Sequence, residues 1–360
     1  MENAVGPTSI SDGAPPDIVG PLLSEALHDR RWDDCRVRLI SGGKSNLTYS
    51  VQSPAGEVIL RRPPLGHILP TAHDMSREYR VLSALHGTPV PVPRTYVLGG
   101  AEHALRTPFY VMERVVGHVC RDVLPVGYAD SAAQRSAIGA GLIDVLAALH
   151  KIDPGEVGLA DFGRPAGFME RQLRRWSQQW ERSRDSELPE LDLLRDQLSA
   201  TLPSQSQATI VHGDYRLDNT LLHPSVPGEI VAVLDWEMST LGDPLADVGA
   251  LLAYWSEDSD DDVIMRARIV GPVTSASGFP SRAEVVERYV GRTGFDLSQI
   301  GWYQAFAFFK LAVICQGIAA RAAGGAMLGD GFDDARGLVA PLVDAGLAQL
   351  ERGGLSSARR

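Results

Sequence analysis

The sequence predicts an α+β chain in two parts: a small antiparallel-sheet part with one helix, and a larger, mainly helical part. Three observations carry this. Short apolar segments separated by turn formers fill residues 36–115. From about residue 121 onward, apolar residues recur at helical spacing instead. At 360 residues the chain also exceeds what one small core holds. The expected division is 1–34 as a tail with a first helix, 35–116 as the small part and 117–360 as the large one.

In the small part, strands are expected over 36–40, 47–52 and 58–62. Gly42-Gly43 and Pro54-Ala55-Gly56 turn the chain between them. Met75, Tyr79, Leu82 and Leu85 share one helix face, and two further strands follow at 95–98 and 109–115. In the large part, Ile138, Leu142, Leu146 and Leu149 mark a helix ending near His150, and a second helix after Pro165 carries Trp176 and Trp180. Further helices are expected over 246–254, 282–290, 302–323 and 333–350. The only strand signals there flank residues 212–219. The acidic run 257–262 reads as a solvated loop or helix start.

A net charge of −11 argues against nucleic-acid and anionic-membrane partners, which need a basic face. Cys35, Cys120 and Cys315 match no metal-ligand spacing and are expected to be reduced thiols of a cytoplasmic protein. The first twenty residues lack an apolar run, so they read as a loose tail and not as a signal peptide. The apolar stretch 305–320 is interrupted by Lys310 and Gln316, and reads as a buried helix too short and polar to span a membrane.

The chemistry concentrates in Ile210-Val211-His212-Gly213-Asp214-Tyr215-Arg216-Leu217-Asp218-Asn219, followed by Val231-Ala232-Val233-Leu234-Asp235-Trp236-Glu237. A loop carboxylate, an amide five positions on and an acid ending the next apolar strand are the set that phosphoryl transfer from a nucleoside triphosphate requires. Asp214 orients the attacking hydroxyl. Asn219 and Asp235 offer the hard oxygen donors that Mg²⁺ prefers. Asp243 and Asp247, near Pro244 and a helix start, read as caps or loop anchors. His212 reads as a brace of the loop. Arg216 is open between a phosphoryl contact and an acid partner, and Glu237 between a water-mediated metal contact and a substrate contact.

These motifs resemble those of the aminoglycoside/choline phosphotransferase family, small-molecule kinases with a protein-kinase-like bilobal fold. His212-Gly213-Asp214 to Asn219, Leu234-Asp235-Trp236-Glu237, Gly242-Asp243-Pro244 and Asp247 carry the resemblance, which covers roughly residues 35–325. It implies ATP or GTP as co-substrate with Mg²⁺, and a hydroxyl-bearing small molecule as acceptor. It also implies a strand cation on the phosphates paired with a helix acid, which falls on Arg61 and Glu78. Arginine replaces the usual lysine there, a planar fork in place of a point charge. The resemblance places Ser41 to Asn46 as the nucleotide-covering loop, with Ser45 and Asn46 as contacts and Lys44 as a weaker candidate. It puts adenine on the backbone of the 109–115 hinge, at the Met112 carbonyl and the Arg114 N–H.

The aromatic segment 301–310 and Leu60-Arg61-Arg62-Pro63-Pro64-Leu65-Gly66 resemble the branch related to the kinase-like domain fused to some acyl-CoA dehydrogenases. That branch implies a partly apolar, hydroxyacyl-like acceptor. No dehydrogenase domain is expected within these residues. Two alternatives stand beside this: an aminoglycoside or other antibiotic kinase, and a catalytically silent nucleotide-binding pseudokinase that regulates a partner. A protein kinase fits less well, because no Ala-Pro-Glu segment follows Asp235. Oligomeric state is open.

Overall fold

The computed structural model describes residues 13–41, 46–65, 74–205, 207–323 and 333–357. The chain divides into two compact units, Met1–Val116 with Ala232–Glu237, and Gly117–Val231 with Met238–Arg360. Residues 232–237, which carry Asp235, thus group with the small unit, although the sequence assigned them to the large one.

The first unit is a five-stranded antiparallel sheet in the order β1-β2-β3-β5-β4, from β1 (Arg36–Ser41), β2 (Leu47–Ser53), β3 (Gly56–Arg62), β4 (Thr95–Gly99) and β5 (Phe109–Glu113). The β2–β3 hairpin closes on Pro54-Ala55, where proline presets the turn and the Ser53 hydroxyl accepts a hydrogen bond from Ala55 N. Alternation along the central strand decides the rest. Val58 and Leu60 join a core with Tyr49, Val51, Phe109 and Val111. Arg61 stands in register with Tyr110 and Thr48.

Helix α1 (Pro16–Ala26) adds Val19 and Leu23 to that core, and Ala14 before it is fully buried. The loose-tail expectation therefore fails from Ala14 onward, because these apolar residues cover a sheet face that water would otherwise meet. Helix α2 (Met75–Leu85) starts at Asp74, whose carboxylate accepts from Ser76 N and Arg77 N. Its buried residues Met75, Glu78, Val81, Leu82 and Leu85 form one stripe, and that stripe carries Glu78 inward.

The second unit holds helices α3 (Ala132–Lys151), α4 (Phe168–Ser183), α5 (Pro189–Ala200), α6 (Leu245–Tyr254), α7 (Asp262–Arg266), α8 (Arg282–Thr293), α9 (Ile300–Ala323) and α10 (Asp333–Ser357). Strand β6 (Thr209–Val211) pairs antiparallel with β9 (Thr240–Gly242), while β7 (Thr220–Leu222) pairs with β8 (Ile230–Val233). β9 is too short to announce itself in sequence, whereas α5 carries a helical signal, Leu191, Leu194 and Leu198 on one face, that sequence reasoning missed. Helix α9 packs against α6 where a Cβ on Gly249 would meet the Tyr303 backbone at 2.6 Å, so only glycine allows this approach.

Two expectations need correction here. The acidic run does hold a helix start, since Asp261 caps α7, but Asp260 within it is no solvated charge: its carboxylate is 1% exposed and receives Arg282 Nη1 at 2.6 Å and Arg268 Nη2 at 2.9 Å. Burial alone would raise the Asp260 carboxyl, but the two guanidinium hydrogen bonds outweigh it and hold the group below the usual carboxylate range. Helix α9 runs 24 residues, so with α3 it is long and apolar enough to cross a membrane by length and composition. The length argument thus fails. The burial argument holds, because Phe306, Phe308 and Phe309 of α9 are at most 5% exposed within the unit.

Candidate active site

The loop from His212 to Asn219 is held mainly through its backbone. β6 delivers the chain to Val211, and Asp247 on the first turn of α6 then accepts from His212 N at 2.6 Å and Gly213 N at 2.8 Å. Asp247 is fully buried and also meets His150 Nε2 at 3.3 Å, while the other ring nitrogen of His150 lies 2.6 Å from the Tyr289 hydroxyl. Burial would raise the Asp247 carboxyl, but His150 and the His212 backbone bond more than offset it and hold it low. Its assignment as a loop anchor describes what it does here. Gly213 sits at φ +85, and a Cβ there would meet the Met238 carbonyl oxygen at 2.8 Å. His212 Nδ1 accepts from Asp214 N at 3.3 Å, the bracing contact expected of it.

Asn219 closes the loop. Its amide nitrogen donates to the Asp214 carbonyl at 2.8 Å and to Asp214 Oδ2 at 2.9 Å. Its amide oxygen accepts no hydrogen bond among the described residues, which leaves a hard donor free for a cation. Arg216 Nε lies 3.4 Å from Asp214 Oδ2 and 3.1 Å from Asp218 Oδ1, and its guanidinium covers the Tyr254 ring at 4.9 Å. Arg216 therefore pairs with acids. Its buried Nε nevertheless has no hydrogen bond of acceptable geometry.

The first unit gathers a second set by strand register. Arg61, on the face of β3 that carries Tyr110 on β5, puts Nη1 3.4 Å from Glu78 Oε2 and donates Nη2 to Asp235 Oδ1 at 3.2 Å. Glu78 also accepts from the Tyr110 hydroxyl at 2.7 Å and from Asn46 Nδ2 at 2.6 Å. Asn46 reaches Glu237 Oε2 at 3.4 Å. Burial raises the Glu78 carboxyl, with Arg61 and Tyr110 working against it. Asp235 stands at φ +64, a left-handed conformation that costs most residues about 1–2 kcal/mol and that aspartate tolerates better than most. Such an outlier in a charged network suits a functional carboxylate.

The predicted residues thus fall into two local constellations. Arg61, Glu78, Asn46 and Asp235 stand together in one unit, Asp214 and Asn219 in the other. Met112 lies within β5, opposite Ile59 and Thr95. Arg114 follows the strand end and pairs its guanidinium with Glu57 at 3.5 Å. Ser45 and Lys44 lie outside the described residues.

The buried Arg61 Nε has no hydrogen-bond partner, as expected of a donor that a phosphate oxygen would satisfy. The Asn219 amide and the Asp235 carboxylate are oxygen donors of the kind Mg²⁺ takes, one or two from protein and the rest from phosphate and water. The residues present therefore fit a nucleotide with Mg²⁺.

The aromatic side chains of α9 are core residues. Trp302, Tyr303, Phe306, Phe308 and Phe309 are at most 5% exposed, and the Trp302 and Phe306 rings stack in parallel 5.7 Å apart in the core. Beside the loop, a cavity of about 30 Å³ between Arg216, Leu217, Asp218, Leu251, Tyr254 and Val273 has room for a single water. A larger groove of about 380 Å³ runs along Val119, Arg121, Asp122 and Val123.

Sequence reasoning missed Tyr110, whose role depends on register, and the ammonium of Lys310, which donates to the Gly213 carbonyl at 3.0 Å. A lysine interrupting the apolar pattern of α9 was the available signal.

The sequence profile of the phosphotransferase enzyme family matches residues 36–284, more than half the chain. The chain belongs to this family. Acyl-CoA dehydrogenase family member 11 of Rattus norvegicus is 36% identical over 319 residues, 88% of this chain, and the chain spans only 40% of that relative's length. Among solved structures, a Ralstonia eutropha protein assigned as an aminoglycoside phosphotransferase superposes with a TM-score of 0.76 at 34% identity, covering 88% of this chain and 93% of that one. Choline kinase from Cryptosporidium parvum, at 12% identity and a TM-score of 0.61 over 94% of this chain and 96% of its own, shares the fold. The family member is thus an α+β, protein-kinase-like phosphotransferase scaffold, of the branch that includes acyl-CoA dehydrogenase relatives.

Proposed function

We propose that this family member moves the γ-phosphoryl group of ATP or GTP, with Mg²⁺, to a hydroxyl of a small, partly apolar, hydroxyacyl-like molecule. The observation that carries the reading is the Asp214 carboxylate, fixed by Asn219 and by a loop that Asp247 ties down. Asp214 orients the acceptor hydroxyl and takes its proton. The hydroxyl oxygen forms the new bond to the γ-phosphorus as the bond to the bridging oxygen breaks, and the nucleoside diphosphate leaves with that electron pair. Little base strength is needed, so positioning dominates.

Arg61 would hold the α- and β-phosphates, with Glu78, Tyr110 and Asn46 keeping its guanidinium in place. Asn219 and Asp235 would hold Mg²⁺, which supplies charge neutralisation on the phosphates when bound. Met112 and Arg114 would meet the base through their backbone, with Ser45 and Asn46 at the covering loop.

One observation favours a second reading, a catalytically silent nucleotide-binding module: the Arg61 hydrogen bond to Asp235 occupies an oxygen that the metal needs. Magnesium-dependent release of ADP or GDP, measured across aminoglycosides, choline-like amino alcohols, macrolides and hydroxyacyl thioesters, separates the two. Stimulation by a hydroxyacyl compound supports the first reading. Stimulation only by aminoglycosides replaces its acceptor, and nucleotide binding with no turnover on any acceptor supports the silent module.

A further inference from the structure

Two nitrogen donors with capacity to spare lie near the Asp214 loop, the Lys310 ammonium and the Trp176 indole. Lys310 Nζ spends one of its three protons on the Gly213 carbonyl and lies 5.7 Å from the centre of the Trp176 ring. It has no carboxylate within ion-pairing distance among the described residues, and its side chain keeps partial solvent exposure. The Trp176 indole N–H is buried with no hydrogen-bond partner, whereas Arg216 Nε lies within ion-pairing distance of Asp214 and Asp218. Arg175 is a further cation on this patch, 5.7 Å from the Trp176 ring. The acids nearby are already committed: Asp247 to two backbone N–H groups and His150, Asp218 to Arg216, and Asp214 to Asn219 and Arg216. A buried donor without an acceptor costs about 1–3 kcal/mol, so the Trp176 N–H, together with the Lys310 protons not spent on Gly213, leaves a preference for an oxygen-rich anion. A polycationic acceptor would meet like charge there instead.

We propose that Lys310 and the Trp176 indole N–H, flanked by Arg216, form an anion subsite beside Asp214, so that the acceptor carries a carboxylate or phosphate as well as its hydroxyl. Burial lowers the Lys310 ammonium's pKa, which Asp214 and Asp247 offset only in part while Arg175 and Arg216 add to the lowering, so an anion bound there would favour the charged form. The inference rests on the kinase reading above and deepens it to a substrate class: a hydroxylated, partly apolar anion. The ammonium then does two things at once, bracing the carbonyl that precedes Asp214 and holding the far end of the acceptor.

The test is a charge series on one carbon skeleton: a hydroxy acid, the matched hydroxyalkyl phosphonate, the neutral hydroxy amide and the cationic amino alcohol, in several chain lengths. Specific activity with Mg²⁺ and nucleotide is read as kcat/KM, and binding as the shift in Tm. Hydrogen bonds to a charged group are worth about 1.5–3 kcal/mol, so the anions should exceed the amide by roughly 10- to 100-fold. The acid and phosphonate arms identify which anion is held. Lys310→Met should collapse the anion-to-amide ratio towards one in both readouts, and Lys310→Arg should retain part of it.

A wild-type protein that turns over the amide as well as the acid overturns the inference and leaves the kinase reading standing. So does a Lys310→Met variant that loses activity on all members equally, since that is a brace alone. Absence of turnover on every member, with Lys310-dependent binding of the acid still present, sinks the kinase reading and keeps the subsite.

Discussion

The two constellations are built on opposite principles. In the second unit, a buried carboxylate, Asp247, accepts backbone N–H groups and fixes a loop whose functional residues are close in sequence. In the first, buried side chains from different strands and a helix satisfy one another, with Glu78 at the centre of bonds from Asn46, Tyr110 and Arg61. The contrast extends to proton affinity: the Asp247 carboxyl is held low and the Glu78 carboxyl is raised. A loop held by its backbone stays rigid whatever binds. A cation shared between Glu78 and Asp235 can trade one partner for a phosphate, which would release the Asp235 carboxylate to a metal.

The largest break in this comparison is Asp247→Ala, which strands two backbone N–H groups and the His150 ring. Removing one partner of such a buried set costs about 3–5 kcal/mol, read as the urea midpoint, and turnover falls with loop order. Asp247→Ala with wild-type stability would mean the loop is held elsewhere. Glu78→Gln comes next. It keeps hydrogen-bonding capacity towards Asn46 and Tyr110 and removes the charge on Arg61, so KM for the nucleotide should rise roughly tenfold with the fold intact.

Smaller still is the pH dependence, whose sign differs between the units. Glu78 has a raised folded pKa, so its favourable contribution is present below the unfolded value near 4.3 and is lost as pH rises through the folded one. Asp247 has a lowered folded pKa, so its contribution is present above about 3.9 and is lost as pH falls through the folded value. Urea titrations from pH 7 downward should show Glu78→Gln losing its advantage over wild type as pH falls, and Asp247→Asn losing its deficit. The same slope for both variants would contradict the contrast. Arg282→Met should behave as Asp247→Asn does, because Asp260 is likewise held low by its guanidinium partners.

The same contrast explains what was legible. His212 to Asn219 reads directly from sequence because one short loop carries the whole set, and Asp247 was recognisable as an anchor from its place after Pro244. Arg61 and Glu78 were placed by resemblance, since nothing local says that β3 aligns Arg61 with Tyr110. Tyr110 itself stayed hidden for that reason. The aromatics of α9 misled because a helix buried on nearly every side has no polar face to show which residues are core. Asp260 misled in the opposite sense: charge runs are usually solvated, and only tertiary contact with Arg268 and Arg282 shows otherwise. α1 was underestimated because its apolar residues are few and punctuated by Pro16 and Pro21.

Under the proposed function, Asp214 is the residue on which phosphoryl transfer depends. The most direct test of that dependence pairs two readouts on wild type and Asp214→Asn: binding of Mg²⁺-nucleotide, and transfer of labelled γ-phosphoryl to a hydroxy acid. The account predicts equal nucleotide binding by both proteins, with transfer reduced by about 10²–10⁴-fold in the variant. Transfer by Asp214→Asn at the wild-type rate, or no nucleotide binding by either protein, would contradict it.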